Sequence, residues 1–277
     1  MPQVFNTLDP YASSLVAAFV ADFAVQFVAY VLSAALQTEK LFDLSGCVSF
    51  LASVLVSALL RPDGDRLAPR QIIAAALLAV WSLRLGLFLF QRVLSRPDKR
   101  FDELKSSPVK YAGVFVMQSV WVFLCPLPVW IVLALYGPEQ RAIQWSDIVG
   151  IAIWVAGFAI EAIADVQKSA FKSKHPDAFM SSGLFRYSRY ANYFGEVTLW
   201  CGMFVLCASG FTSGVQWISI ISPVFVYCLI AFVSGIPMLE KSSSQKYGQL
   251  PEYQDYVART SKFFLWLPKK QAATPVP

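Results

Sequence analysis

Histidine is nearly absent from this chain: His175, beside Pro176, is the only one in 277 residues. Haem sites and histidine-rich di-iron sites therefore have no ligands here, and His175 is expected to be a solvated loop residue. Charge is scarce too, at 15% against 56% hydrophobic residues. A soluble domain of this length could not hide so much apolar surface. No GxGxxG, HExxH, GxSxG or P-loop pattern occurs, which argues against a Rossmann domain, metal-dependent hydrolysis and ATP-driven transport. The five cysteines, Cys47, Cys125, Cys201, Cys207 and Cys228, form no CxxC pair and all fall within apolar runs. They read as small buried apolar residues rather than disulfides or metal ligands, and no metal is expected.

What is present is apolar sequence of membrane-spanning length, at roughly 12–36, 41–60, 71–91, 111–136, 148–167, 190–209 and 214–238. About 20 helical residues cross a hydrocarbon core of about 30 Å, and alternation with a period of two is missing, so barrel strands are excluded. The expectation is an all-α, multi-pass integral membrane protein of about seven transmembrane helices, forming one domain over residues 1–277. The opening MPQVFNTLDPYASS has no basic segment, so the first run reads as a retained helix rather than a cleaved signal.

Orientation follows from the basic residues, because cytoplasmic loops keep positive charge. With the N-terminus outside, 18 of the 23 Lys and Arg fall on the cytoplasmic side, in three loops (around Lys40, from Arg92 through Arg96, Lys99 and Arg100 to Lys110, and from Lys168 to Arg189) and in the tail after Glu240. Only Arg61, Arg66, Arg70 and Arg141 fall outside, and Arg84 lies within a helix. The C-terminus is therefore expected in the cytoplasm, and reporter fusions that report the tail as external would overturn this. The net charge of +5 is accounted for by loops facing anionic lipid, so no nucleic-acid partner is implied, and no obligatory protein partner is evident.

Charges inside membrane helices cost at least a few kcal/mol and mark candidate sites. Asp22, Asp43, Arg84, Glu161, Asp165 and Glu196 are such charges, with Gln26, Gln91 and Gln118 as neutral companions. In the proposed topology most lie toward the cytoplasmic side, which implies a pocket open to the cytoplasm. Glu161, Asp165, Lys168 and Lys172 recur at i, i+4, i+7 and i+11, a spacing that also suits a salt-bridged helix end. In GLFRYSRYANYFGE, the residues Arg189, Asn192, Tyr193 and Glu196 share a second face. Carboxylates and an amide can bond a carboxamide or ribose, aromatic rings can stack on a flat heterocycle, and Arg and Lys can hold phosphates. Those are the needs of a nucleotide cofactor, met by membrane helices and loops. PEYQDYVARTSKFF can form an amphipathic helix with Tyr253, Tyr256, Val257 and Thr260 on one face, or a plain surface anchor.

GFAIEAIADVQKSAF followed by GLFRYSRYANYFGE resembles the C-terminal region of the steroid 5α-reductase family, and the likeness extends over 157–266. WSLRLGLFLFQR, VMQSVW and PEYQDYVARTSKF also look like that family. The signature is shared in part with sterol C14 reductases and isoprenylcysteine methyltransferases. Tyr190-Ala191 stands where many bacterial relatives carry the His-Pro pair typical of the methyltransferases. The family's Gln-Glu pair in helix two and tyrosine in helix three have no evident counterpart; Asp43 and Trp81 lie nearest those places.

The resemblance implies an NADPH-dependent reductase of the carbon–carbon double bond of an apolar enone, a 3-oxo-4-ene steroid or similar lipid. It places Asn192 and Glu196 at the nicotinamide carboxamide or nearby ribose, with Tyr193 packing close. Glu161 and Asp165 would hold ribose or adenine edges, and Lys168, Lys172, Arg189 and Arg259 the phosphates, with Tyr187 and Tyr256 also on the cofactor side. Helices within 12–136 would line the substrate cavity, with Asp43 or Gln118 at the carbonyl and Trp81 on the wall. Gln118 equally suits an interhelical hydrogen bond. The membrane would be a bacterial inner membrane or one of endoplasmic-reticulum type. Two further classes stay open: an S-adenosylmethionine-dependent methyltransferase of a lipid-like substrate, and a small-solute transporter.

Overall fold

The computed structural model describes residues 10–61, 65–95, 98, 101–137 and 141–270. The first nine residues and Arg96, Lys99 and Arg100 lie outside them. Among the described residues there is helix and turn but no strand. Four helices are long and apolar enough to cross a membrane alone: α1 (Pro10–Ala35), α2 (Lys40–Leu59), α3 (Pro69–Ser95) and α7 (Trp145–Lys174). The run Gly214–Tyr247 is a fifth. Between α3 and α7 come the short α4 (Asp102–Lys105), then α5 (Pro108–Leu124) and α6 (Leu127–Leu133), which together make a sixth span bent by 57°. The remaining expected segment, α8 (Ala191–Ala208), is about 27 Å long by its 18 residues but is not among these candidate spans, so the described residues hold five or six where about seven were expected. The chain is a multi-pass, all-helical protein with helices long enough to span a membrane.

Two expected spans are not simple rods. The run 111–136 breaks at Pro126, which has no N–H to give to Val122 O; Val129 N turns to Pro126 O, and the carbonyl of Cys125 accepts from the Ser222 hydroxyl. The last carbonyls of α6 and the residues after it are met by side chains: Gln71 Nε2 lies 2.8 Å from both Val132 O and Leu135 O, and Arg61 Nη1 2.8 Å from Leu133 O. Such caps let an apolar half-helix end inside protein, where free carbonyls would be costly. The run 214–238 is a 3-10 segment (Gly214–Ile220), α9 (Ile221–Cys228) and a π segment (Leu229–Val233), after which come α10 (Ile236–Tyr247) and α11 (Pro251–Arg259).

By their contacts the helices form two compact units. The first draws on Met1–Ile148 and Met203–Ser222, the second on Val149–Gly202 and Pro223–Pro277. In the first unit α1 and α2 meet along a seam of small and polar residues. Ser45, Ser49 and Ser53 recur every fourth position, so that Ser53 Oγ reaches Ala18 O at 2.9 Å and Gln26 Nε2 reaches Ser49 Oγ at 3.0 Å. Small residues let the backbones approach, and the hydroxyls bond across them. Asp22 lies in the same seam and is buried. Arg70, counted among the loop arginines, is in fact buried: its guanidinium holds both oxygens of Asp147, at 2.7 and 2.8 Å. The carbonyls of Arg141 and Ala142 take its remaining donors.

Candidate functional site

The second unit is built on an antiparallel pair, α7 against α8. Gly157 and Gly195 meet backbone to backbone, for a Cβ on Gly195 would lie 2.5 Å from Glu161 N and 2.7 Å from Gly157 O. Gly202 is equally tight against Trp154. Gly150 and Gly157 on one helix face Gly195 and Gly202 on the other, each pair seven residues apart. This register sets Glu161 beside Gly195 and brings Asn192 to Asp165, whose Oδ1 accepts from Asn192 Nδ2 at 3.2 Å. Glu161 and Asp165 are buried; Asn192, Tyr193 and Glu196 are half-buried on the first turns of α8. A carboxylate can only accept, so Asp165 fixes the amide of Asn192 with its nitrogen inward. The amide oxygen, Asn192 Oδ1, is buried and has no hydrogen-bond partner.

Beside this pair lies a cluster centred on Glu240 of α10. Its Oε1 accepts from Arg189 Nη1 at 2.7 Å and from the Tyr190 hydroxyl at 2.6 Å, and Lys262 Nζ stands 3.6 Å from Oε2. Burial and then the Glu240 carboxylate push the Tyr190 hydroxyl well above the usual phenol range, so it stays protonated and donates. Tyr190 stacks on Tyr193 with centroids 6.0 Å apart. Arg189 Nε is buried without a partner.

The remaining sequence-chosen cations are placed differently. Lys168 sets its ammonium over the Phe185 ring at 5.8 Å, and Lys172 donates to Ala178 O at 2.6 Å and bonds the Tyr247 hydroxyl at 3.0 Å. Phe179 packs among Tyr247, Tyr253 and Tyr256, and the Tyr256 hydroxyl donates to Phe185 O at 2.7 Å. The expected amphipathic helix is α11, with Tyr253, Tyr256 and Val257 half-buried and Thr260 buried just past its end. Beyond it the tail runs back over the approach to α8. Arg189 N donates to Ser261 O, Ser188 Oγ to Phe263 O, and Trp266 N to Tyr187 O, all within 3.0 Å. Arg259 is bonded to Asp255 and to Lys269 O, and lines a cavity of about 630 Å³ along the tail.

The residues expected at the substrate carbonyl all lie in the first unit. Gln118 Nε2 donates across to Phe42 O on α2 at 2.9 Å, passing over Gly46, where any Cβ would collide with it. The interhelical bond is thus present, while Gln118 Oε1 is buried and unpartnered. Asp43, one residue after Phe42, is half-buried. Trp81 is fully buried among Phe50 and Trp121, with centroids at 5.4 and 6.0 Å.

Residues 29–260 match a family described as "Protein of unknown function (DUF1295)". The chain belongs to the DUF1295 family. It is also similar to an uncharacterized protein of Schizosaccharomyces pombe, C594.04c, at 24% identity over 229 residues, covering 71% of this chain and 64% of the relative. The chain thus spans less than two thirds of that relative's length. No solved structure matches it. The DUF1295 match takes in every residue given a substrate or cofactor role from the sequence, from Asp43 to Arg259, but leaves out Asp22, Gln26 and Lys262.

Three members of the DUF1295 chain's polar cluster were not chosen from sequence: Glu240, Tyr190 and Lys262. Glu240 carried a usable signal, as a single acid where the last apolar run meets a basic tail. Tyr190 and Lys262 carried none, because both meet Glu240 only through the fold-back of the chain, Tyr190 from 50 residues before it and Lys262 from beyond α11.

Proposed function

We propose that the second unit binds NADPH and that the protein reduces the carbon–carbon double bond of an apolar enone, a 3-oxo-4-ene steroid or a similar lipid. The observation that carries this reading is a pair of unsatisfied buried atoms three residues apart, the acceptor Asn192 Oδ1 and the cationic donor Arg189 Nε. A carboxamide N–H and a phosphate oxygen are their complements. Bound NADPH would supply the hydride. Asp165 holds Asn192 so that its oxygen accepts from the carboxamide; Glu196, one turn on, offers a second acceptor; and Tyr193 provides a ring face. Arg189 serves the phosphates, with Lys168 and Lys172 adding positive charge on α7.

On the substrate side the same reading assigns Gln118 and Asp43 to the enone oxygen and Trp81 to the apolar wall. One amide hydrogen of Gln118 is spent on Phe42 O, which leaves the other to donate. A hydrogen bond aimed at developing negative charge is worth most in a dry cavity.

Purified protein in detergent tests the reading. Ligand at about 100 times its dissociation constant adds about 2.7 kcal/mol of apparent stability, so NADPH should raise the melting temperature, with NADH doing so more weakly. A shift with S-adenosylmethionine and none with NADPH would transfer the site to methyl transfer. No shift with either, alongside uptake of a solute by reconstituted vesicles, would favour transport.

A further inference from the structure

We propose that the groove along the C-terminal tail seats one anionic phospholipid, its chain against the tail and α8 and its phosphate at Arg259 and Lys269. The groove is lined by apolar side chains, Phe194, Phe264, Leu265, Trp266 and Leu267, together with the basic Arg259 and Lys269. Its volume of about 630 Å³ lies in the range of ligand sites, roughly 300–1,000 Å³.

Position in the fold says what the occupant is. Phe194 stands in the first turn of α8 and packs edge-on against Phe263 and Phe264, with centroids at 5.8 and 6.1 Å. The tail therefore lies at the level where an apolar 18-residue helix begins. At that level Phe264, Trp266 and Leu267 remain 62%, 73% and 75% exposed, in a run flanked by Lys262, Lys269 and Lys270. Water is a poor environment for three large neighbouring apolar side chains. Aromatic and leucine side chains bracketed by lysines suit the boundary between headgroups and acyl chains, and the lysines favour anionic lipid.

The seat has a rigid back. Three backbone-anchored bonds tie Ser261, Phe263 and Trp266 to Tyr187, Ser188 and Arg189, and Arg259 Nε closes the loop on Lys269 O at 3.0 Å. A lipid bound there would brace the segment that carries Arg189. Arg259 is also one of the cations expected at the cofactor phosphates, so the test substitutes Lys269 and Leu267, which take no part in the reductase reading.

Native mass spectrometry of the full chain in detergent, with phosphatidylglycerol or phosphatidylcholine of identical chains, tests it. A diazirine on the acyl chain of each lipid locates the adduct. Phosphatidylglycerol should be retained in preference and should cross-link to Phe194 and to residues 264–267. Lys269→Gln should weaken retention about fivefold, the effect of roughly 1 kcal/mol per basic residue near an anionic headgroup, at an unchanged melting temperature. Leu267→Gln should lower cross-linking of the tail while leaving the headgroup preference of the rest of the protein intact. Equal retention of both lipids, cross-links elsewhere, or a dimer that covers the tail without lipid would each overturn the proposal.

Discussion

Asn192→Ala and Glu196→Ala are expected to weaken NADPH binding and enone reduction by one to two orders of magnitude. Asn192 has its nitrogen held by Asp165 and its oxygen free, the state of a side chain oriented for a ligand. Truncation leaves a ligand N–H unpaired in a desolvated site, at about 1–3 kcal/mol, or roughly 5- to 150-fold in affinity. Removing Asn192 also deprives Asp165 Oδ1 of a donor, so a small loss of stability without ligand is expected. Glu196→Gln keeps an acceptor and should fall between wild type and Ala. Isothermal titration with NADPH and turnover of a 3-oxo-4-ene steroid give the two readouts. Binding at the wild-type level in both Ala variants would show that this face of α8 serves packing alone.

How far the sequence foretold this arrangement differs by residue. Each apolar run is a helix or a string of helices, because length and hydropathy alone decide what a bilayer accepts. The bend at Pro126 was visible as a proline but not as a half-helix, since the hydroxyl that bonds the Cys125 carbonyl at the break, Ser222, lies 97 residues away. Within the candidate site, the faces of α7 and α8 could be written down from 3.6-residue spacing, including Asn192, Tyr193 and Glu196. Their pairing could not, because spacing on one helix says nothing of register against another. The register signal was present in the glycines, two on each helix at a seven-residue interval. Glu240 escaped for a different reason: its partners Arg189 and Tyr190 are met only when α10 folds back to the start of α8.

That glycine contact carries the other large effect, for Gly195→Ala is expected to destabilise the protein by about 3 kcal/mol or more, at the upper end of overpacking. The new methyl would stand 2.5 Å from Glu161 N and 2.7 Å from Gly157 O. Both are backbone atoms, so no rotamer change relieves the clash and the helices must separate. Separation at Gly195 is felt less than one turn away, where Asn192 meets Asp165, and NADPH binding should fall together with the melting temperature. Gly113 supplies the contrast, because a Cβ there meets nothing within 4 Å. Gly113→Ala on α5 should hold or raise stability, by up to about 0.5–1 kcal/mol from helix propensity alone. Thermal unfolding of the two variants in one detergent compares them directly. If Gly195→Ala melts with wild type, α7 and α8 do not touch at these glycines, and the register that joins Asp165 to Asn192 falls with that contact.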